Sequence, residues 1–187
     1  MTKVSKVLYV IAHPNLKQSL GNKTIIEAYK KLHSNTEYDD LYSLYPDYKI
    51  DVKAEQKKLV SADIIILQFP MYWYNCPSLL RKWFEDVLEH GFAYGSKGKA
   101  LQGKKLILSI TVGAPIEAFQ EGGFQNYTLE DLTKGFRQLG NLCNMVWDGF
   151  MVTGGLSYFL KEKPEEYKAM IKKLEHHGQA LAEKANE

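Results

Sequence analysis

A segment near the N-terminus, residues 13–24, has the composition expected of a phosphate-binding loop. It reads HPNLKQSLGNKT and supplies imidazole, hydroxyl, amide and ammonium groups but no carboxylate. It also opens a predicted helix, whose first N–H groups are unpaired and whose dipole favours an anion. The alternative is that Ser19 only caps this helix and that His13 is an ordinary loop residue. Both interpretations remain open from this segment alone.

Three consecutive aromatic residues mark a second segment, residues 70–77, which reads PMYWYNCP. Tyr72, Trp73 and Tyr74 are hard to explain as core, because a loop over strand ends is mostly exposed. A flat apolar ligand would account for them, since aromatic rings stack on ring systems and backbone amides can bond the ligand's edge. The alternative is a subunit interface, where Tyr, Trp and Met are enriched. The two interpretations are compatible.

The third segment, residues 111–124, begins with the run Thr111, Val112, Gly113 and Ala114. Small residues directly after a strand let the backbone approach a ligand closely. Their N–H groups could stabilise negative charge that develops on a reduced ring. An ordinary flexible connection between a strand and a helix is the alternative.

Continuous apolar runs predict the buried parallel strands that would position these segments. The runs cover residues 7–12, 64–69, 106–112 and 145–152, and a weaker strand is predicted over residues 40–44. Helical spacing predicts helices over residues 19–32, 52–60, 77–88 and 128–139, and a last helix from about Pro164. Pro77 suits the first helical position.

The alternation of strands and helices predicts an α/β fold in a single domain, residues 1–187. Five strands on this length favour a flavodoxin-like three-layer sandwich, with a five-stranded parallel sheet of order 2-1-3-4-5 and helices on both faces. In such a sheet ligands bind outside the carboxyl ends of the strands. The three unusual segments all follow strands at that edge, so we expect them to converge on one ligand.

The composition argues against several classes of protein. A formal charge of +2 gives no reason to expect a nucleic-acid partner, and no apolar run approaches the length of a membrane span, so we expect a cytoplasmic protein. Cys76 and Cys143 have no metal-binding spacing, and a packing role is favoured over a redox role for Cys76. His176-His177 is interpreted as part of a solvated helix face rather than a metal site, and no metal is expected.

With these segments in place, the sequence resembles the flavodoxin-like NAD(P)H:quinone oxidoreductases. The likeness is greatest to the bacterial branch that includes the ancillary flavoprotein of glutathione-gated potassium efflux systems. It covers most of the chain and becomes weaker after about Gly123. The shared motifs are AHP followed by Ser and Asn (Ala12, His13, Pro14, Ser19, Asn22), LYPDYKIDVKAEQ (residues 44–56), FPMYWYNCPSLLRKW (69–83), HGFAYG (90–95) and the TxGA turn (111–114).

This resemblance implies FMN as the cofactor, with NADH or NADPH as co-substrate. FAD is disfavoured because the FAD-binding mammalian relatives carry a C-terminal extension. The implied phosphate site consists of His13, Ser19, Leu20, Gly21 and Asn22. The implied support for the flavin ring consists of Met71, Tyr72, Trp73, Tyr74, Thr111, Val112, Gly113 and Ala114. A homodimer with its active sites at the subunit contact is implied as well.

The implied reaction is a two-electron, ping-pong hydride transfer to a quinone or a related electrophile. No side chain is expected to act as a nucleophile, and Tyr72, Trp73, Tyr74 and Phe119 would shape the common pocket. Mammalian-type enzymes have a Tyr and a His at the positions of Phe119 and Gln125, and that pair is credited with stabilising charge on the flavin. Backbone amides or solvent would have to serve in its place here. Alternatives are a regulatory subunit of a cation-efflux transporter and a one-electron shuttle, although the near-neutral charge disfavours the shuttle.

Overall fold

The computed structural model describes residues 4–187, apart from the side chain of Tyr158, and contains a five-stranded parallel sheet. The strands are β1 (Val7–Ile11), β2 (Thr36–Asp40), β3 (Ile64–Pro70), β4 (Lys105–Thr111) and β5 (Val146–Thr153). Their order in the sheet is β2-β1-β3-β4-β5, and every neighbouring pair is parallel. The expected fold class and strand order are thereby confirmed.

Six α-helices connect or follow the strands. They are α1 (Leu20–Lys30), α2 (Leu41–Leu44), α3 (Val52–Ser61), α4 (Ser78–Val87), α5 (Leu129–Leu142) and α6 (Pro164–Asn186). Pro77 lies one position before the first helical residue of α4. The 23-residue α6 is the longest helix in residues 4–187, yet neither it nor any other helix there combines the length and the hydrophobicity that a bilayer crossing needs.

The second strand is the one element that was placed wrongly. Residues 40–44 were expected to be a strand, but β2 lies at Thr36–Asp40 and Leu41–Leu44 form a helix. Asp40 marks the boundary because its carboxylate accepts a hydrogen bond from the main-chain N–H of Ser43, which is a helix N-cap interaction. The polar sequence TEYDD still forms a strand, since β2 pairs with Val7–Ile11 of β1.

Side chains of the sheet alternate between two apolar cores. On one face Leu8, Val10 and their neighbours pack with Trp83 of α4 and Phe136 of α5. On the other face Val7, Tyr9 and Ile11 pack against α1 and α6. The sheet is buried on both sides because helices cover both faces, which explains why its strands are continuous apolar runs in the sequence.

The segment between β2 and β3 is held by a buried carboxylate, Glu55 of α3. It accepts hydrogen bonds from the Tyr45 hydroxyl at 2.6 Å, the Lys58 ammonium at 2.6 Å and the Trp83 indole at 2.8 Å. Lys58 also bonds Asp39 of β2 at 2.6 Å. Burial and the adjacent Glu55 raise the pKa of Asp39 to about 7. The motif at residues 44–56 therefore has a structural role in joining β2, α3 and α4.

A chain of buried polar side chains crosses the opposite face of the sheet, between the sheet and helices α1 and α6. Gln68 of β3 is at its centre and accepts hydrogen bonds from the hydroxyls of Tyr9 and Ser109, the latter at 3.0 Å. The amide nitrogen of Gln68 donates to Asn22 Oδ1 of α1 at 3.0 Å. At the other end His177 of α6 bonds Ser109 at 2.9 Å and Thr153 at 2.8 Å.

His177 was expected on a solvated helix face, and that expectation is wrong. The residue is only 6% exposed, whereas its neighbour His176 is exposed. Burial lowers the pKa of His177 to about 4, with a smaller contribution from His176. The imidazole is therefore neutral at pH 7, and its two nitrogens are both used in hydrogen bonds to β4 and β5.

The buried imidazole makes stability depend on pH. An unfolded His titrates near 6.5, so between that pH and about 4 the unfolded chain binds more protons than the folded one. The stability that the neutral His177 contributes to the folded protein is fully present above about pH 6.5 and is lost as the pH falls through about 4. Because of His177, the unfolding free energy of the unmodified chain should fall by about 3 kcal/mol between pH 7 and pH 4. We expect this fall to be absent in His177→Gln.

Urea unfolding of the apoprotein at a series of pH values measures this difference. His176→Gln is the matched control, because it changes the exposed neighbour and should keep the acid sensitivity of the unmodified chain. Parallel pH curves for the unmodified chain and His177→Gln would contradict the assignment.

Candidate functional site

Four loops meet at the carboxyl edge of the sheet. The loops that follow β1, β3 and β4 are the three segments expected from the sequence. The fourth, residues 154–163, follows β5 and was not anticipated. It is joined to the third loop by hydrogen bonds from Gly155 N to Ala114 O at 2.8 Å and from Leu156 N to Val112 O at 3.3 Å.

The second and third loops enclose an open pocket of about 210 Å³. Its lining contains apolar side chains and short backbone segments, together with one side-chain amide, that of Gln125. The lining residues are Met71, Trp73, Tyr74, Val112, Gly113, Ala114, Phe119 and Gln125. An open pocket that combines apolar side chains with main-chain polar groups and one amide suits a planar ring with a polar edge.

The aromatic residues of the second loop form a strained two-residue turn. Tyr72 N donates to Asn75 O at 2.9 Å, and Asn75 N donates to Tyr72 O at 3.0 Å. The two central residues, Trp73 and Tyr74, have φ of 50° and 63°. Turns with two positive φ values normally contain Asn and Gly, and bulky residues in that region are strained. The sequence keeps this strain at the pocket, which is typical of functional sites.

Main-chain N–H groups of both loops are available to a ligand. Within residues 4–187 those of Trp73, Tyr74, Gly113 and Ala114 donate no hydrogen bond. A Cβ atom added at Gly113 would meet only Leu156 O, at 3.9 Å, so the space beside this residue is open. The pocket thus offers several donors to the polar edge of a ring that stacks on its apolar wall.

Asn22 holds the start of α1 in place beside this pocket. Its main-chain N–H and its side-chain amide both donate to Ser19 Oγ at 3.2 Å, so Ser19 is the N-cap of α1. The same amide donates to Thr111 Oγ1 at 3.0 Å. The main-chain N–H of Ser19 donates to Leu16 O at 3.0 Å, but its hydroxyl donates no hydrogen bond to any residue in 4–187. Its hydroxyl proton and the first N–H groups of α1 can therefore be donated to an anion.

His13 adds a neutral donor at the same end of the site. Its Nδ1 accepts the main-chain N–H of Asn15 at 3.0 Å, which leaves the ring proton on Nε2. Burial lowers the pKa of His13, while Asp40 opposes the shift. The ring lines a cleft of about 340 Å³ that also contains Lys17, Lys23 and the carboxylate of Asp40.

Not all of the expected site residues face the pocket. The side chain of Thr111 is buried and acts through its bond to Asn22. Leu20 packs against the core between α1 and α6. Tyr72 lines a neighbouring hollow together with Cys76. Burial raises the pKa of the Cys76 thiol to about 11, so this residue has no thiolate character near neutral pH.

Two contributors were not identified as site residues from the sequence. Gln125 lines the pocket, although it was considered only as a replacement for a proton donor. Leu156 of the fourth loop packs over Gly21, where an added Cβ would lie 2.9 Å from Leu156 Cδ1. The pair Gly154-Gly155 directly after an apolar run was an available signal for this loop, since small residues after a strand had marked the third loop.

Large aromatic side chains of the segments that follow β3 and β4 are exposed. Trp73 is 94% exposed and Phe124 88%, and Tyr74 and Tyr127 are also exposed. Apolar patches of this kind commonly mark interaction surfaces. Trp73 and Tyr74 line the pocket, so this part of its wall is exposed to solvent.

Comparison with known proteins identifies the family. A family model described as flavodoxin-like fold matches residues 5–177, and the chain belongs to this family. A similar protein from Bacillus subtilis strain 168, described as the uncharacterized NAD(P)H oxidoreductase YrkL, is 44% identical over 140 residues, which are 75% of this chain and 80% of that protein.

A second relative is the glutathione-regulated potassium-efflux system ancillary protein KefG of Cronobacter sakazakii. It is 40% identical over 147 residues, 79% of each protein. Among solved structures, general stress protein 14 of Treponema denticola in complex with FMN is 32% identical, with a TM-score of 0.85 over 96% of this chain and 99% of that one. An NADPH-quinone reductase from P. pentosaceus is 28% identical, with a TM-score of 0.76 over 92% and 97%.

The strained turn predicts an increase in stability when its strain is removed. We expect Tyr74→Gly to raise the unfolding free energy of the apoprotein by about 1 kcal/mol, because Gly adopts positive φ without steric cost. Urea denaturation without any added ligand measures the change.

Tyr127→Gly is the matched control, since Tyr127 is also an exposed tyrosine but lacks a positive φ. That variant should show no gain in stability. If Tyr74→Gly is less stable than the unmodified chain, the turn is not strained at this position.

Proposed function

We propose that this chain is a flavin-dependent oxidoreductase that uses FMN to pass two electrons from NADH or NADPH to a quinone-like acceptor. The observation that carries the proposal is the pocket of unpaired N–H groups beside an anion-accepting helix N-terminus. The relatives described as an NAD(P)H oxidoreductase, an FMN complex and an NADPH-quinone reductase support it.

The phosphate end of FMN fits the start of α1. The proposed ligands are His13, Ser19, Leu20, Gly21 and Asn22, whose main-chain and side-chain donors include no carboxylate. Gly21 matters because the loop after β5 already occupies the space that a side chain would need. The helix dipole favours a dianionic phosphate here, and the two ammonium groups of Lys17 and Lys23 in the adjacent cleft outnumber the one carboxylate there, that of Asp40.

The ring end of FMN fits the pocket between the second and third loops. The proposed contacts are Met71, Tyr72, Trp73, Tyr74, Thr111, Val112, Gly113 and Ala114. Unpaired N–H groups of the two loops would bond the polar edge of the ring, and Thr111 would act indirectly by holding Asn22. Bound FMN would supply the hydride chemistry between the nicotinamide and the acceptor.

The side chains of the pocket orient and shield the reactants. Tyr72, Tyr74 and Phe119 would shape the space that co-substrate and acceptor occupy in turn, and the apolar wall would exclude water from the stacked rings. Neither Phe119 nor the Gln125 amide releases a proton near neutral pH. The proton that a quinone needs would therefore come from solvent through the open side of the pocket.

We propose further that the chain forms a homodimer with the exposed aromatic rings at the contact. Trp73 lines the open pocket, and Phe124 and Tyr127 are exposed between β4 and α5, so a second copy seated on these rings would cover apolar surface and add to the pocket wall. Aromatic residues of this type are enriched in interfaces. The cytoplasm is the proposed compartment, because both cysteines are free and buried, as is usual where thiols stay reduced.

A second candidate function is that of an ancillary subunit of a cation-efflux transporter, with flavin binding secondary. The KefG relative favours it, because that protein is described as ancillary to a glutathione-regulated potassium-efflux system. Recovery of one defined transporter with this chain from native membranes, together with slow turnover of quinones, would favour this candidate over the enzyme.

Absorption spectroscopy tests the proposed function directly. The protein reconstituted with FMN should be yellow, lose its visible absorption with NADPH or NADH, and regain it when a simple benzoquinone is added. Gly113→Leu should weaken FMN binding at least about tenfold, because the new side chain would fill the space beside the ring.

Gly135→Leu is the matched control for Gly113→Leu. Gly135 lies on the exposed face of α5, has no atom within 4 Å of an added Cβ and has no positive φ, so the same substitution should leave FMN binding unchanged. Colourless protein that ignores added FMN would overturn the proposal.

A further inference from the structure

The chain of buried hydrogen bonds below the site connects loops that would hold opposite ends of a ligand. Asn22 bonds both Ser19 at the proposed phosphate end and Thr111 at the proposed ring end. Gln68 joins Asn22 to Ser109, and His177 joins Ser109 to Thr153, the last residue before the fourth loop. Thus α6 is bonded through His177 to the strands that carry the proposed FMN ligands, although His177 itself is none of these ligands.

The direction of each hydrogen bond follows from its neighbours. Ser109 donates its proton to Gln68 Oε1, so it must accept from His177 Nε2. His177 Nδ1 then accepts from the hydroxyl of Thr153. Only a neutral side chain with one donor and one acceptor can occupy this position without leaving a buried group unpaired.

A second contact ties α6 to the helix that begins at the phosphate loop. Gly178 follows His177 and lies against α1, where an added Cβ would be 2.3 Å from Ile25 O and 2.7 Å from Ala28 Cβ. This approach leaves no space between the two helices at that point. The position of α1, and hence of its N-terminus, therefore depends on how α6 is seated on the sheet.

We propose that His177 is a positioning residue that fixes the spacing between the phosphate loop and the ring loops, so that one FMN molecule can engage both. This inference rests on the proposed FMN site. It extends that site through Gln68 and Ser109 to a helix on the face of the sheet, away from the ligand.

Such a role has a specific energetic signature. FMN is bound at two ends, so its affinity depends on the distance between the two subsites as well as on each subsite. Riboflavin lacks the phosphate and engages the ring loops alone. A change in spacing should weaken FMN binding while riboflavin binding is retained, whereas general destabilisation would weaken both ligands together.

Fluorescence titration of the apoprotein with FMN and with riboflavin tests the inference. We expect His177→Leu to reduce the ratio of riboflavin Kd to FMN Kd by about tenfold. His177→Gln, which keeps a donor and an acceptor, should restore the ratio. His176→Leu, at the exposed neighbour, should leave it unchanged, and circular dichroism of each variant establishes that it is folded.

Ser109→Ala provides an independent variant if His177→Leu does not fold, because it breaks the same chain with the loss of one small hydroxyl. An unchanged ratio in the folded His177→Leu or Ser109→Ala protein, with normal FMN binding by the unmodified chain, would overturn this inference alone. Failure of the unmodified chain to bind either flavin would overturn the proposed function and this inference with it.

Discussion

The side chain of Asn22 is the interaction on which the geometry of the site depends. One amide group bonds Ser19, Gln68 and Thr111, and so joins the start of α1 to the ends of β3 and β4. Because it is buried, each of these bonds must be satisfied within the protein. The loops that project from these elements are thereby held at fixed relative positions before any ligand binds.

A rigid base permits strain in the loops above it. Trp73 and Tyr74 keep positive φ values that bulky residues avoid, and two main-chain hydrogen bonds between Tyr72 and Asn75 close the turn. The strain energy of this turn is offset by the strands below it, which are buried on both faces and pack against two apolar cores. The strained turn places both aromatic rings and unpaired N–H groups at the pocket, and strain of this kind is typical of functional sites.

The sequence was sufficient to predict most of the fold, for a physical reason that also explains the error at β2. Strands covered on both faces are continuous apolar runs, and four of the five have this pattern. Residues Thr36–Asp40 do not, because this edge strand contains the buried Asp39, which bonds Lys58 and whose pKa is raised by burial and by Glu55. No local pattern shows that a carboxyl group at this position will be buried.

The same distinction applies to the site. Three loops could be predicted because residues after strands in a parallel sheet must share an edge. His177 could not be placed, since its partners Ser109 and Thr153 lie 68 and 24 residues away in the chain and a polar helix residue ordinarily faces solvent. Leu156 and Gln125 were missed for a similar reason, because their place in the site depends on how long loops fold back over the edge.

The most direct test of this account is a crystal structure of the protein grown with FMN. We expect the phosphate at the N-terminus of α1, within hydrogen-bonding distance of Ser19 and the adjacent N–H groups. We expect the flavin ring against Met71 and Gly113, with its polar edge on the unpaired N–H groups of the two loops. A ring bound elsewhere, or an edge of the sheet closed by the protein's own side chains, would contradict it.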